Sequence, residues 1–255
     1  MFKKLFNIVL ISIMIPGVIL SISCKSEENV FTTQPIITST EIAAKLVFIT
    51  EPDGAKAGEP FTTQPVIAIE DKNGNIITDS EASVTVIITS NTGISGAVLS
   101  GTRTVSAVNG KVNFSDLSLN YSGRNYSLTA MSRGVQSAIS HSFDVAPGSA
   151  SRLLFYTEPT GAAAGAFFAT QPLVVVQDVY GNIATDSTAA VTLTITPNTG
   201  TAGAVLGGNT TVNAVKGVVT FSYLTINVIG SEYTLTATSP GLSSATSAEF
   251  YITAK

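Results

Sequence analysis

An internal repeat constrains this chain more than any other feature of its sequence. Residues 45–145 align with residues 152–252 at a constant offset of 107 and without a gap, and 54 of the 101 aligned positions are identical. So many identities indicate a duplicated unit rather than chance. Because a unit of this length is the size of one ordinary domain, we predict two tandem domains, residues 43–147 and residues 148–255.

Each unit has the pattern of short strands separated by turns. Runs rich in β-branched and aromatic residues occur in the first unit at 46–50, 64–70, 84–89, 102–108, 111–119, 126–131 and 137–145. Asn109-Gly110 lies between two of these runs and is the strongest hairpin signal in the chain. Since no segment beyond the N-terminus has a helical period, we predict an all-β fold with seven to eight strands per unit, arranged as a two-sheet sandwich.

The composition excludes several classes of function. The formal net charge is −4, and the lysines and arginines are scattered singly, so a nucleic-acid-binding surface has no electrostatic basis. Cys24 is the only cysteine, His141 is the only histidine, and there is no tryptophan. An intramolecular disulfide and a Cys- or His-rich metal site are therefore excluded by count, and we expect no cofactor.

The first 23 residues have the layout of a secretory signal peptide. Lys3 and Lys4 precede an apolar run from Leu5 to Ile22, and a small residue, Ser23, stands directly before Cys24. This ending resembles the lipobox of bacterial lipoproteins, in which the cysteine is lipidated and becomes the mature N-terminus. The resemblance implies lipidation at Cys24 and attachment of the protein to a membrane through that lipid, with the outer membrane or the cell surface favoured. Two alternatives remain open, namely cleavage after Ser23 with a free thiol, and an uncleaved membrane-spanning anchor.

Residues 24–42 are polar beyond the cysteine, and we predict that they form a flexible tether. This segment contains Phe31-Thr32-Thr33-Gln34-Pro35, which recurs as Phe61-Thr62-Thr63-Gln64-Pro65. A spacing of 30 residues is too short for a domain, so we interpret the first copy as a leftover of slippage or of a truncated repeat. Pairing of this segment with a domain edge is the alternative.

The repeated motifs resemble those of the bacterial immunoglobulin-like repeats of surface proteins, including the invasin and intimin type. The resemblance covers residues 43–255 and implies an immunoglobulin-like sandwich. The motifs are Leu46-x-Phe48, Ala57-Gly58, Gln64-Pro65, Asp71-x-x-Gly74-Asn75 and Gly123-x-x-Tyr126-x-Leu128 in the first unit, and Leu153-x-Phe155, Ala164-Gly165, Gln171-Pro172, Asp178-x-x-Gly181-Asn182 and Gly230-x-x-Tyr233-x-Leu235 in the second. Tyr126 and Tyr233 occupy the place of the tyrosine corner in such domains.

The Asp-x-x-Gly-Asn motif has two interpretations. We predict a structural turn in which Gly74 and Gly181 supply a positive φ, and Asp71 and Asp178 bond to the turn backbone, followed by Asn75 and Asn182. The alternative is a calcium loop, because oxygen-bearing residues fall at positions 1, 3, 5 and 9 of an EF-hand-like count, namely Asp71, Asn73, Asn75 and Asp79. That count fails further on, since Ala82 takes the place of the bidentate acid and Ile76 that of the required glycine.

The alternation of apolar residues predicts a core for each unit. We place there Phe48, Ile69, Val86, Phe114 and Leu128 in the first unit, and Phe155, Val176, Leu193, Phe221 and Leu235 in the second.

No catalytic constellation is visible in the sequence, so we predict that the protein is not an enzyme. Nothing organises around His141, whose counterpart in the second unit is Ala248. We expect a membrane-anchored structural, adhesion or interaction module with a protein or glycan partner at the cell surface and no nucleic-acid partner. The alternative is a carbohydrate- or small-ligand-binding module, which is weakened by the lack of tryptophan and by the dispersed positions of Tyr121, Tyr126, Tyr156 and Tyr180.

Overall fold

The computed structural model describes residues 42–255, and residues 43–255 form one compact unit. The predicted signal peptide 1–23, the lipidation site Cys24, the tether and the 31–35 motif lie outside the described residues, apart from the last residue of the tether. Within the described residues, we find no helix with the length and hydropathy that a membrane span requires. We call residues 43–147 the first repeat and residues 148–255 the second repeat.

The first repeat contains twelve short strands. They are β1 (Lys45–Thr50), β2 (Ala55–Lys56), β3 (Val66–Glu70), β4 (Ser83–Ile88), β5 (Leu99–Ser100), β6 (Thr104–Ser106), β7 (Lys111–Asn113), β8 (Ser118–Leu119), β9 (Gly123–Tyr126), β10 (Leu128–Ser132), β11 (Val135–Ile139) and β12 (Phe143–Ala146).

The second repeat contains eleven strands in the corresponding places. They are β13 (Arg152–Thr157), β14 (Leu173–Gln177), β15 (Ala190–Ile195), β16 (Leu206–Gly207), β17 (Thr211–Asn213), β18 (Val218–Thr220), β19 (Thr225–Ile226), β20 (Gly230–Tyr233), β21 (Leu235–Thr238), β22 (Ala245–Thr246) and β23 (Phe250–Ile252).

The opening strand joins two groups of antiparallel strands into one sheet in the first repeat but not in the second. In the first repeat β1 pairs antiparallel with β3 and parallel with β11, where Lys45 faces Gln136. The resulting sheet has the order β6-β4-β10-β11-β1-β3-β7, and a second sheet has the order β2-β12-β9. In the second repeat the same parallel bridge joins Arg152 to Ser243, which lies before β22, so the two groups of strands are separate sheets.

The strands are shorter and more numerous than the seven to eight predicted, because several runs change sheets midway. The run 126–131 divides at Ser127, since Tyr126 pairs with Phe143 in one sheet while Leu128 pairs with Ile88 in the other. The run 111–119 divides in the same way: β7 pairs with β3, and β8 pairs with β5. One run of strand-forming residues in the sequence therefore contributes to both layers of the sandwich.

Each repeat has its own hydrophobic core, and the two cores share no residue. Of the ten core positions predicted, nine are buried. The exception is Phe48, which is only partly buried and packs against the core where the β1–β3 register shifts between Phe48 and Thr50. The aromatic packing recurs as well, since Phe61 meets Phe143 edge-on at 5.4 Å between ring centroids and the matching pair of the second repeat lies at 5.3 Å.

The Gln-Pro motif ties two strand ends of each repeat together. The Gln64 side chain accepts a hydrogen bond from the Leu117 backbone N–H at 3.1 Å and donates to the carbonyl oxygens of Leu117 and Phe61. Gln171 makes the same three bonds with Leu224 and Phe168. The fold is all-β, with two immunoglobulin-like sandwiches in tandem, as the sequence predicts.

Candidate functional site

The Asp-x-x-Gly-Asn motif forms a turn whose aspartate is saturated with N–H donors. Asp71 Oδ1 accepts from the backbone N–H of Asn73 at 2.7 Å and of Asn75 at 2.9 Å, and Oδ2 accepts from Asn75 Nδ2 at 3.0 Å. Gly74 has φ = 88°, a conformation that costs glycine little. The turn of the second repeat has the same bonds around Asp178, and Gly181 has φ = 91°.

The four residues of the calcium alternative are arranged as donors and acceptors of a hydrogen-bonded turn rather than as calcium ligands. The side-chain NH₂ groups of Asn73 and Asn75 face the Asp71 carboxylate as donors, whereas a calcium site needs their oxygens turned inward. Asp79 is exposed. Within residues 42–255 no three Asp, Glu, His or Cys side chains form a group that could hold a metal ion.

The carboxylate of this turn gives the first repeat a pH dependence. The hydrogen bonds from Asn75, backbone first and side chain second, hold the pKa of Asp71 below its usual value. A depressed pKa stabilises the fold above the unfolded-state pKa of about 3.9, and this contribution is lost as the pH falls through the folded-state pKa. We expect the melting temperature of the protein to fall more steeply below about pH 4 than that of Asp71→Asn, measured by circular dichroism. Parallel curves for the two proteins would contradict this assignment.

The two buried tyrosines bridge an upstream loop to the core. The Tyr126 hydroxyl donates to the Tyr121 carbonyl oxygen at 2.9 Å, and the Tyr233 hydroxyl donates to the Val228 carbonyl oxygen at 3.0 Å, each five residues upstream. This is the geometry of a tyrosine corner. Burial raises the pKa of the Tyr126 hydroxyl, so it stays a donor at neutral pH. Each ring lies against a glycine of the Asn-Thr-Gly turn, where a Cβ on Gly93 would stand 2.1 Å from the Tyr126 ring.

The turn of the second repeat also contacts the first repeat. Asn182 Nδ2 donates to the Asn120 carbonyl oxygen at 2.9 Å, and its Oδ1 accepts from the Ser122 backbone N–H at 3.0 Å. The Tyr180 ring covers Gly58, where a Cβ would lie 2.3 Å from a ring carbon. These contacts form the junction between the repeats.

The residues between the repeats take part in the same junction. The Gly148 backbone N–H donates to Asp178 Oδ2 at 2.9 Å, and Asp178 is completely buried. The linker, the turn and the first repeat are thus connected through a single carboxylate and the amide of Asn182. The sequence predicts the turn, whereas its contact with the first repeat depends on the tertiary arrangement.

The corresponding end of the second repeat is open. Gly165 is the counterpart of Gly58, and no other described residue comes within 4 Å of the position that its Cβ would take. Four apolar side chains at this end are largely exposed to solvent, and we call them the end patch: Val205 (60% exposed), Ile229 (55%), Phe167 (61%) and Tyr223 (62%). Two of the four, Phe167 and Tyr223, are in contact with each other, and exposed apolar groups that lie together mark interaction surfaces.

The segments that hold the end patch are paired with one another. Phe167 forms an antiparallel bridge with Thr225 on one side of β19, and Gly207 pairs with Thr225 on the other. The Val205 backbone N–H donates to Asn227 Oδ1 at 2.8 Å at the end of the same strand. The rings of Phe167 and Tyr223 meet edge-on with their centroids 5.5 Å apart.

The end patch is absent from the first repeat. Phe167 and Tyr223 replace Pro60 and Asp116 of the first repeat. Asp116 instead accepts hydrogen bonds from the Thr102 backbone N–H at 2.8 Å and from its hydroxyl at 2.9 Å. The strand and turn patterns do not single out these two aromatics, although the replacement of a proline and an aspartate by aromatic residues between otherwise similar repeats is a signal that could have found them.

Comparisons with known proteins give no family for the chain. No family model matches it, and no curated protein matches it. Similar solved structures include FdeC, an Escherichia coli adhesin (18% identity over 84% of this chain and 64% of that chain, TM-score 0.41), and the Yersinia pseudotuberculosis adhesin InvE (14%, 81% and 58%, TM-score 0.29). A beta-glycosidase from Bacteroides vulgatus is also similar (11%, 83% and 25%, TM-score 0.35). The chain therefore spans about a quarter of the glycosidase and about three fifths of the two adhesins, and with TM-scores this low we infer no function from them.

Proposed function

We propose that the protein is an exported, membrane-anchored interaction module that binds a partner at the cell surface and catalyses no reaction. The observation that carries this proposal is the end patch, an uncharged apolar surface on the repeat that lies further from the N-terminus. Soluble domains seldom leave several large apolar side chains together in water unless another molecule covers them.

The first repeat supports this role as a spacer. The turn of the second repeat covers the Gly58 end of the first repeat, whereas no described residue covers the corresponding position at Gly165. In the sequence the first repeat lies between Cys24 and the repeat that carries the end patch, as a spacer would.

The polar side chains of the two turns and of the tyrosine corners support a structural rather than a catalytic role. The carboxylates of Asp71 and Asp178 accept hydrogen bonds from N–H groups of their own turns, and the buried tyrosine hydroxyls donate hydrogen bonds to nearby carbonyl oxygens. Groups engaged in this way hold loops in place and have no free proton or lone pair directed at a substrate. We therefore propose a binding protein rather than an enzyme.

The anchor is tested by metabolic labelling with a radioactive fatty acid. We expect label on the wild-type protein and none on Cys24→Ser, because lipidation requires the thiol and each buried CH₂ contributes about 0.8 kcal/mol to membrane binding. An antibody against the repeats should bind intact cells that produce the wild-type protein.

Two outcomes would contradict this part of the proposal. Equal label on the wild type and Cys24→Ser would rule out lipidation at this cysteine. Antibody binding only after the cells are broken open would rule out display at the surface.

A further inference from the structure

We propose that the end patch binds a neutral glycan, with sugar rings stacked on Phe167 and Tyr223. This inference rests on the proposed function, because it names the chemistry of the partner that the exported module would bind. Four structural observations support it, namely the geometry of the two rings, the polar groups beside them, the size of the patch and the backbone of Tyr223.

The two rings offer open aromatic faces at an angle to each other. Phe167 and Tyr223 are each more than 60% exposed, and their planes are inclined at 62° with the centroids 5.5 Å apart. An edge-to-face pair is a preferred arrangement that fixes both rings. The C–H face of a sugar ring is apolar and fits against such a ring, while its hydroxyls remain in water at the edge.

The chain segments that carry the two rings contain polar side chains and no charged ones. The Asn209 side chain donates from Nδ2 to Ser222 Oγ at 3.0 Å next to Tyr223. Thr225 in β19 pairs with Gly207 of β16 on one side and with Phe167 on the other. The segments 163–168, 201–209 and 222–231 contain no Asp, Glu, Lys or Arg. Amide and hydroxyl groups recognise sugar hydroxyls, whereas an acidic sugar would require a cation to pair with its carboxylate.

The size of the patch favours a small ligand over a protein. A stable protein interface buries about 800 Å² on each partner and includes roughly 20–30 residues per side. The end patch has four apolar side chains, which suits one or two stacked sugar rings. The affinity for a glycan at a site of this size is higher when the rings are already held in place, because less side-chain entropy is lost on binding.

Tyr223 adopts a backbone conformation that its side chain does not favour. Its φ is 58°, in the left-handed region that bulky residues rarely enter, whereas its counterpart Asp116 is not among the residues with positive φ. Backbone strain of this kind persists where surrounding structure enforces it, and it often occurs at binding sites. Replacement by Asn, which tolerates this conformation, should therefore preserve the fold while it removes the ring.

The test measures binding of the full chain to cellohexaose, xylohexaose, mannohexaose and chitohexaose by isothermal titration calorimetry and by saturation-transfer NMR. We expect saturable binding to at least one of them, with contacts to the aromatic protons. Phe167→Ala and Tyr223→Asn should each weaken binding about tenfold or more, since loss of one stacked ring removes about 1.4 kcal/mol or more. The matched control is Tyr156→Ala, which removes a tyrosine of the same repeat that is 72% exposed and lies outside the end patch.

The variants also separate binding from folding. Tyr223→Asn should melt at the temperature of the wild type or above it while binding is lost. No binding to any of the four oligosaccharides, or binding unchanged in both end-patch variants, would overturn the proposal. A loss of affinity in Tyr156→Ala equal to that in Tyr223→Asn would also overturn it. The membrane anchor is judged separately by the label on Cys24, so glycan binding by an unlabelled protein would reject the anchor alone.

Discussion

Phe221→Ala should lower the free energy of unfolding of the second repeat by about 3–5 kcal/mol. Phe221 is 1% exposed and belongs to the core of that repeat. Removal of the ring leaves a cavity among side chains that the paired strands hold in place, so the loss of packing adds to the lost transfer free energy. Since a domain of this size has a total stability of about 5–15 kcal/mol, a large part of it would disappear.

The matched variant in the first repeat is Phe114→Ala. Because the two cores share no residue, each variant should destabilise its own repeat. Urea unfolding monitored by far-ultraviolet circular dichroism and by tyrosine fluorescence measures the effect, since the chain contains no tryptophan. The exposed Tyr156→Ala serves as the control and should stay within about 0.5 kcal/mol of the wild type. A midpoint unchanged in Phe221→Ala would contradict the assigned core.

Asp178→Ala should destabilise the protein by about 3 kcal/mol or more. The Asp178 carboxylate is completely buried and accepts four hydrogen bonds, from the backbone N–H groups of Gly148, Tyr180 and Asn182 and from Asn182 Nδ2. Hydrogen bonds to a charged group contribute about 1.5–3 kcal/mol each, and buried donors left without a partner add to the cost. The substitution would also release Asn182, whose amide makes both polar contacts with the first repeat.

Two further variants show whether the junction is responsible. Asp178→Asn keeps one oxygen that can accept from the turn backbone, and it should cost less than Asp178→Ala. Asp71→Ala removes the equivalent turn carboxylate of the first repeat, where Asn73 Nδ2 at 3.4 Å takes the place of the Gly148 N–H, so its effect should be smaller. Calorimetric melting measures all three. Equal losses in Asp71→Ala and Asp178→Ala would show that the junction adds nothing to stability.

The large features of the fold follow from the sequence because they depend on repeated local patterns. The offset of 107 residues, the alternation of apolar residues and the turn glycines predict two sandwiches, and most of the predicted core positions are buried. The division of strands at Ser127 does not follow from sequence, because a residue in a run of strand formers changes sheet only when partners are available in both layers.

The end patch and the junction illustrate what sequence patterns omit. Tyr180 is one of several dispersed tyrosines in the sequence, yet its ring covers Gly58 across the junction. Phe167 and Tyr223 lie 56 positions apart and meet only because Phe167 bridges to Thr225 beside Tyr223. Exposure is equally invisible in the sequence, since an aromatic residue beside a strand can face the core or the solvent.

The difference between the turns at 71–75 and 178–182 gives the duplicated chain a fixed order. Only the turn of the second repeat carries an aromatic residue, Tyr180, whereas the turn of the first repeat has Asn73 at the same position. A chain in which the second repeat preceded the first would bring Asn73 against Gly165 and would cover the backbone of Ile229, part of the end patch. The two copies have therefore diverged into a component that receives its neighbour and a component that docks onto it, and they are no longer interchangeable.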